Sequence, residues 1–372
     1  MLLFTPGPTP TPEFIRNALA LPTIHHRTQE FEYIFSETRE LLKDIIKMPE
    51  VLMLSSSGSG AMEASLLTFC TKKVLTINSG KFGERFSKIA NAFNIPYVEI
   101  TNEWDTPVEL ECVIDALKSN SDIDSICMQV CESAGGLRHP YEAIAKAVKE
   151  YNKDIVVIID AITAMGVEPL DVSNVDIVIG GSQKAFMLPA GMSIIGLSQF
   201  ALERLESRNV GFYFNLKTEL KNQQKNTTAW SAPVSLITGL YTFLKEAKKI
   251  GYKNIYKETQ ARSLACNCVM ENLKLKIYPK IPALAMTAVI DDDAETIRKI
   301  LKNDFNVNVA GGQDRLKGKI FRINHMGIIP IHEISWVINA VELCLSRLKR
   351  REFNGLANQI FLQQYYSIME SQ

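Results

Sequence analysis

Long apolar runs are absent from this chain of 372 residues. None approaches the roughly 20 residues that a membrane-spanning helix requires. An excess of either charge is absent too: 41 basic residues stand against 41 acidic ones, so no global field draws the chain towards nucleic acid or anionic lipid. The seven cysteines (Cys70, Cys112, Cys127, Cys131, Cys266, Cys268 and Cys344) are odd in number and scattered. Neither a disulfide framework nor a zinc site follows from that spacing, and Cys266 and Cys268, two apart in a helix-like stretch, point to different sides. Reduced thiols in a cytoplasmic setting are the expectation. The opening residues 1–6 have no basic region and too short an apolar run for a signal peptide. Internal repeats and low-complexity segments are also missing.

What is present fits a soluble globular protein. Apolar residues make up 46% and charged residues 22%. A mass of 41.7 kDa exceeds what one small core organises, so a larger and a smaller domain are expected.

Short runs at 74–78, 97–100, 123–130, 155–160, 175–180 and 192–197 read as strands. Helical patterns at 83–93, 108–118 and 141–151 separate several of them. This alternation predicts an α/β fold with a doubly wound, mostly parallel sheet. The run 192–197 follows only a short connection, which suits an antiparallel member. Two long helices, 233–249 and 252–273, precede a second unit of strand 284–290, helix 294–302, strand 320–323 and helix 331–348. The expected organisation is an N-terminal segment 1–15, a large domain 16–249, a small C-terminal α+β domain 250–350 and a polar tail 351–372.

Two of the strands end in residues that suggest chemistry. Ile155-Val156-Val157-Ile158-Ile159 stops at Asp160, and Val175-Asp176-Ile177-Val178-Ile179 opens into Gly180-Gly181-Ser182-Gln183-Lys184-Ala185. In open α/β sheets, ligands bind outside the carboxyl ends of the strands. A carboxylate and an amine 24 residues apart should therefore face one crevice. That pairing suits pyridoxal 5'-phosphate, with lysine forming the Schiff base and the carboxylate keeping the pyridinium nitrogen protonated. Alone, Lys184 reads as a solvated surface charge and Asp160 as a turn residue. A third feature, Ser55-Ser56-Ser57-Gly58-Ser59-Gly60-Ala61-Met62-Glu63 before a helix-like run, could cradle a phosphate with backbone N–H groups and hydroxyls. Its plainer reading is a polar loop with an N-cap, and no lysine follows to make it a nucleotide loop. Together the three features converge on one cofactor.

These residues and several others resemble the class V aminotransferases of pyridoxal phosphate fold type I. The nearest branch is that of the serine–glyoxylate, alanine–glyoxylate and serine–pyruvate enzymes. The resemblance begins at Pro6-Gly7-Pro8-Thr9 and continues through His25-His26-Arg27 with Glu30-Phe31, then residues 57–63. It proceeds through Asn78-Ser79-Gly80-Lys81-Phe82-Gly83-Glu84-Arg85, Glu132-Ser133-Ala134-Gly135-Gly136, Asp160 and Gly181-Ser182-Gln183-Lys184-Ala185. It ends with Phe321-Arg322-Ile323-Asn324-His325-Met326-Gly327, so it spans nearly the whole chain in the family's order.

The resemblance implies a role for each matching residue. Lys184 is the Schiff-base lysine and later the base that moves a proton between substrate Cα and cofactor C4′. Asp160 pairs with the pyridinium N–H, Phe82 stacks on the ring, and Ser57, Gly58, Ser59 and Gln183 surround the phosphate. Arg322 clamps the substrate α-carboxylate. Without the resemblance, Phe82 reads as a core aromatic and Arg322 as half of a structural ion pair. In this family a segment before the Pro233-Val234 helix reaches the phosphate of a neighbouring subunit; here Thr228 and Ser231 are the candidate donors, and N-capping is their alternative. A homodimer with shared active sites is implied, acting on a small amino acid of the alanine or serine type and a 2-oxo acid such as glyoxylate or pyruvate. One departure stands out: Ala134 lacks the hydroxyl that the family often carries near the cofactor's phenolic oxygen.

Within the same fold, a cysteine desulfurase needs a thiolate on a loop between Lys184 and the arginine strand, and no cysteine lies between Cys268 and Cys344. A 2-aminoethylphosphonate-type transaminase would want further basic residues near the substrate. A catalytically silent relative should have lost Lys184 or Asp160, and both are present.

Overall fold

A computed structural model describes residues 1–371. The chain opens with β1 (Leu2–Phe4), which joins the smaller of two main sheets. The larger sheet takes β2 (Glu50–Leu54), β3 (Lys73–Asn78), β4 (Tyr97–Thr101) and β5 (Ile123–Gln129). A short ladder, β6 (Cys131–Glu132) and β7 (Leu137–Arg138), interrupts the series. The large sheet resumes with β8 (Val156–Asp160), β9 (Ile177–Gly181) and β10 (Ser193–Leu197). Then β11 (Lys276–Ile277), β12 (Met286–Ile290), β13 (Val307–Gly311) and β14 (Ile320–Asn324) complete the smaller sheet.

The large sheet runs β2-β10-β9-β8-β5-β3-β4. The pairs β3–β4, β3–β5, β5–β8 and β8–β9 are parallel, and β10 lies antiparallel to both β9 and β2. The antiparallel member is the one expected from the short Pro189-Ala190-Gly191 connection. Alternation along each strand divides the core in two. Val157, Ile159, Val178 and Ile194 face one layer with Phe31, Phe35 and Leu240; Val156, Ile158, Ile177 and Ile195 face the other with Met62, Leu66 and Phe86. A strand buried on both faces needs apolar residues at every position, so these runs read as continuous rather than alternating. The chain passes from β3 outward to β4 and returns to β5, which puts a topological switch between β3 and β5.

The smaller sheet runs β1-β13-β14-β12-β11, with β1 parallel to β13. Its core gathers Phe4, Val309, Phe321 and Val341. The segment after Arg351, read as a polar tail, forms the helix Leu356–Glu370. Ala357, Phe361 and Tyr365, spaced by four, put one apolar stripe into that core. Both chain ends thus join the smaller layer, while 16–249 and 250–350 remain our proposed larger and smaller units. Among the described residues, no helix is long and apolar enough to cross a membrane, and no group of three or more His, Cys, Asp or Glu side chains could hold a metal.

Candidate active site

The carboxyl ends of β2, β3, β5, β8 and β9 converge on one cavity of about 270 Å³. Asp160 closes β8, paired in register with Gln129 of β5 and Ile179 of β9. Its Oδ1 accepts the N–H of Ile162 at 2.9 Å, and burial pushes its carboxyl up to about 6 despite nearby Arg85 and Lys184. Lys184 lies three residues beyond β9, in the turn that leads to β10. Its Nζ donates to Pro6 O at 2.6 Å, and burial pulls the ammonium down to about 8. An amine in that range is partly neutral at ordinary pH, which a proton-moving base needs.

The phosphate-type corner comes from the helix Gly58–Phe69. Ser57 occupies its N-cap position in an extended conformation, yet its side chain makes no capping bond. The first turn, the helix dipole and the small residues therefore face the cavity together. A Cβ on Gly58 would sit 2.2 Å from Ile162 Cδ1, so any larger residue there would have to push the Ile162 side chain aside. Ser59 Oγ accepts from Arg85 Nη1 at 3.0 Å. Gln183 also lines the cavity, and its buried Oε1 has no partner among the described residues.

Phe82 is fixed through its backbone. Its N–H and that of Gly83 donate to Glu132 Oε2 at 2.9 and 2.8 Å, and its carbonyl accepts from Gln129 Nε2 at 3.1 Å. The Arg85 guanidinium stands 4.7 Å from the Phe82 ring centroid. Glu132 is fully buried and takes a third N–H, from Ala134, at 2.9 Å. Burial nevertheless pushes its carboxyl up to about 7.

Arg322 stands on β14, 5% exposed. It forms no ion pair among the described residues. Instead Nη1 donates to Ser133 O and Nη2 to Gly311 O, while Nε is buried without a partner. A buried guanidinium that meets only carbonyl oxygens keeps its charge for an incoming anion.

Seven of the expected residues, Ser57, Gly58, Ser59, Phe82, Asp160, Gln183 and Lys184, line the one cavity. Arg322 reaches its wall through Ser133. Thr228 and Ser231 lie elsewhere, beside Met53, Ser55, Tyr213 and Trp230, and Thr228 donates its hydroxyl to Trp230 O at 2.5 Å. Neither caps the helix Val234–Ile250, whose N-cap is Pro233 with no side-chain bond. Gly7, Pro8, Arg85, Cys131, Ser133 and Thr163 also line the cavity, although no role was read for them from the sequence. Ser133 lines it and Ala134 does not, so the absent hydroxyl at 134 leaves a neighbouring hydroxyl in the wall. Gly7, Pro8, Arg85 and Ser133 fall inside recognisable motifs; nothing in the sequence marked Cys131 or Thr163. Burial pushes the Cys131 thiol far above its ordinary range, against a thiolate role.

A carboxylate at one end, a glycine-rich helix start at the other, an aromatic side chain and a depressed lysine between them fit pyridoxal phosphate. A larger open groove of about 590 Å³, lined by Phe14, Tyr241, Lys245 and Ile328, has no such set.

Comparison with known proteins supports the same chemistry. The Aminotransferase class-V family model matches residues 11–323. An uncharacterized aminotransferase of Helicobacter pylori is 52% identical over 369 residues, 99% of this chain and 100% of that protein. The serine–glyoxylate aminotransferase of Methylorubrum extorquens is 26% identical over 92% of this chain and 90% of its own length. Among solved structures, the subgroup IV aspartate aminotransferase of Thermus thermophilus superposes with a TM-score of 0.87 at 28% identity, over 93% of this chain and 99% of that one.

Proposed function

The chain belongs to the class-V aminotransferase family, whose enzymes work with pyridoxal 5'-phosphate, and from that premise we propose that it moves an amino group from a small amino acid of the alanine or serine type to a 2-oxo acid such as glyoxylate or pyruvate. The observation that carries this reading is the pairing of Asp160 and Lys184. They follow adjacent parallel strands and line the same cavity.

When bound, the cofactor supplies an aldehyde that takes up the amino group and a protonated ring that draws electrons from the carbon losing its proton. Lys184 carries the cofactor and then, as a free amine, moves the proton from substrate Cα. Asp160 keeps the ring nitrogen protonated, and its pKa of about 6 should fall once a pyridinium cation lies against it. Ser57, Gly58, Ser59 and Gln183 hold the phosphate, and Phe82 supports the ring. Arg322 orients the α-carboxylate, with Glu132 holding the segments on either side. A cavity of about 270 Å³, shared with a cofactor, favours a compact substrate. The serine–glyoxylate relative favours the same class. The 2-aminoethylphosphonate-type and desulfurase-type readings gain no supporting observation.

The active form is proposed to be a cytoplasmic homodimer. Phe212 is 77% exposed and packs at a tilt against Trp230, with ring centroids 4.7 Å apart, beside Thr228 and Ser231. Burying that aromatic patch on a second copy would bring the two hydroxyl residues towards the partner's phosphate. The direct test incubates purified protein with single amino acids and either glyoxylate or pyruvate, and assays the new amino acid. Absence of transfer from every small donor would overturn the substrate class.

A further inference from the structure

The Lys184 turn is held from outside the large sheet by a residue that the roles above leave unused. Thr9, only 3% exposed, donates its backbone N–H to Gln183 O at 3.1 Å and its hydroxyl to Lys184 O at 2.7 Å. Both carbonyls lie beyond the end of β9 at Gly181, where the strand ladder stops. The same segment meets the amine itself, because Pro6 O accepts from Lys184 Nζ at 2.6 Å. Gly7 between them has φ +114, and a Cβ there would sit 2.3 Å from Nζ. The segment runs back into β1, where Phe4 pairs with Val309 of β13.

The opposite flank of the turn is gripped as well. Met187 has φ +57, and its Sδ accepts the N–H of Ile328 at 3.1 Å. A Cβ on Gly327 would sit 2.6 Å from that sulfur, while Arg262, buried on the helix Tyr252–Asn272, holds Gly327 O at 2.8 Å. Residues 327 and 328 follow β14, the strand of Arg322. Two arms of the smaller sheet therefore hold the lysine turn, one from β1 and one from β14.

We propose that Thr9 is a positioning residue for Lys184, fixing the carbonyls of Gln183 and Lys184 so that the amine keeps one place relative to the cavity. The proposal rests on the reading of Lys184 as the cofactor-carrying lysine. Without the Thr9 hydroxyl, Lys184 O keeps only the N–H of Met187 at 3.0 Å, and the turn loses one of its two hydrogen bonds to Thr9, which loosens its position. A lysine displaced by about an ångström can lose as much as ~10²-fold in rate. The charged and titratable groups facing the amine are Cys131 of β6, Arg322 of β14, Asp160 of β8 and Arg85 of the helix Gly83–Ala92. Removing the Thr9 hydroxyl changes none of these, so any change in the proton affinity of the amine must come from displacement.

The test compares full-length Thr9→Val and Thr9→Ser with the wild type. Three quantities are read: the pH midpoint of the bound cofactor's visible band, kcat against KM, and the affinity of resolved protein for pyridoxal phosphate by quenching of tryptophan fluorescence. Thr9→Val should move the band midpoint by about half a pH unit or more and weaken cofactor affinity about threefold or more. It should lower kcat about tenfold with KM within about twofold, and Thr9→Ser should recover most of each loss. Should Thr9→Val not accumulate as folded protein, Thr9→Ala takes its place with the same readings. A Val variant with wild-type midpoint, affinity and kcat overturns the proposal, as does a Ser variant no better than Val. A wild-type protein lacking any cofactor band would overturn the underlying reading of Lys184 and this proposal with it.

Discussion

Arg322 donates through Nη1 to the carbonyl of Ser133, a residue 189 positions earlier in the chain. The bond joins the middle of the smaller sheet to the wall of the cavity that holds Lys184 and Asp160. Because both observed acceptors are neutral carbonyls, no carboxylate pairs directly with this buried cation, and Glu132 acts on it only through space. Burial already pulls its pKa to about 10, so a bound carboxylate would relieve part of that cost.

Arg322→Ala should therefore lower kcat/KM for α-amino acids while leaving the cofactor absorbance in place. Losing a charge-assisted pair should cost about 2–5 kcal/mol, some 30- to several-thousand-fold. Amines without a carboxylate should be affected far less. Equal loss for both substrate types would make Arg322 structural.

Reduction of the holoenzyme with borohydride should fix the cofactor to the peptide containing Lys184 and to no other. Lys81, near the cavity, is paired with Asp314 at 3.2 Å and is the informative control. Peptide mapping that finds the label on any lysine but Lys184 would reject the assignment.

Legibility in the sequence followed burial pattern. The strands β5, β8 and β9 were readable because both faces are covered and every position can be apolar, as in Val156-Val157-Ile158-Ile159, all fully buried. β2 is less legible although it is equally buried. It begins with Glu50, whose charge is neutralised by Arg39 from a distant turn of helix, and a leading carboxylate hides a short apolar run. β1 has three residues, too few for any periodicity. In the helix Leu356–Glu370, Gln359, Gln363 and Gln364 fall between the apolar residues that pack on the core, which masks the helical period.

The candidate site divides along the same line. Asp160 and Lys184 announce themselves at strand ends, where topology alone brings them together. Thr9 and Glu132 act through backbone groups, which residue type does not reveal. Thr228 and Ser231 lie at a separate hollow, and the role proposed for them needs a second chain.

Asp160→Asn should keep the fold and weaken the electron sink, since an amide cannot hold the ring nitrogen protonated. The loss should be roughly 3–4 kcal/mol in the barrier, or 10²–10³ in kcat. A variant with intact folding and nearly wild-type kcat would remove Asp160 from that role.

Sedimentation at assay concentration should give twice the chain's mass. Phe212→Asp, which puts a charge at the centre of the exposed aromatic patch, should shift the protein towards monomer and weaken cofactor affinity in parallel. A fully active monomer would end the shared-site proposal; a dimer untouched by Phe212→Asp would move the interface elsewhere.

Glu132 makes a pH-dependent prediction for protein stripped of cofactor. Its folded pKa of about 7 lies above the ordinary value of 4.5, so between those limits the folded protein holds more protons than the unfolded chain. Stability is therefore favoured below about pH 4.5 and lost as pH rises towards 7. Asp160, raised from 3.8 to about 6, adds to the same trend. Lys184, lowered from 10.5 to about 8, works the other way but only above about pH 8. The Glu132 contribution over its window is on the order of 3 kcal/mol. Glu132→Gln keeps the side-chain shape and removes the titration. Its unfolding midpoint should fall less steeply between pH 5 and about 7.5 than that of the wild type. The amide offers one acceptor oxygen where the carboxyl offers two to the N–H groups of Phe82, Gly83 and Ala134, so the variant's absolute stability should be lower than the wild type's near pH 5, where the wild-type carboxyl is protonated at little cost. Parallel wild-type and variant profiles, measured by calorimetry in matched ionic strength, would show that Glu132 stays ionised throughout and that its three N–H donors outweigh its burial.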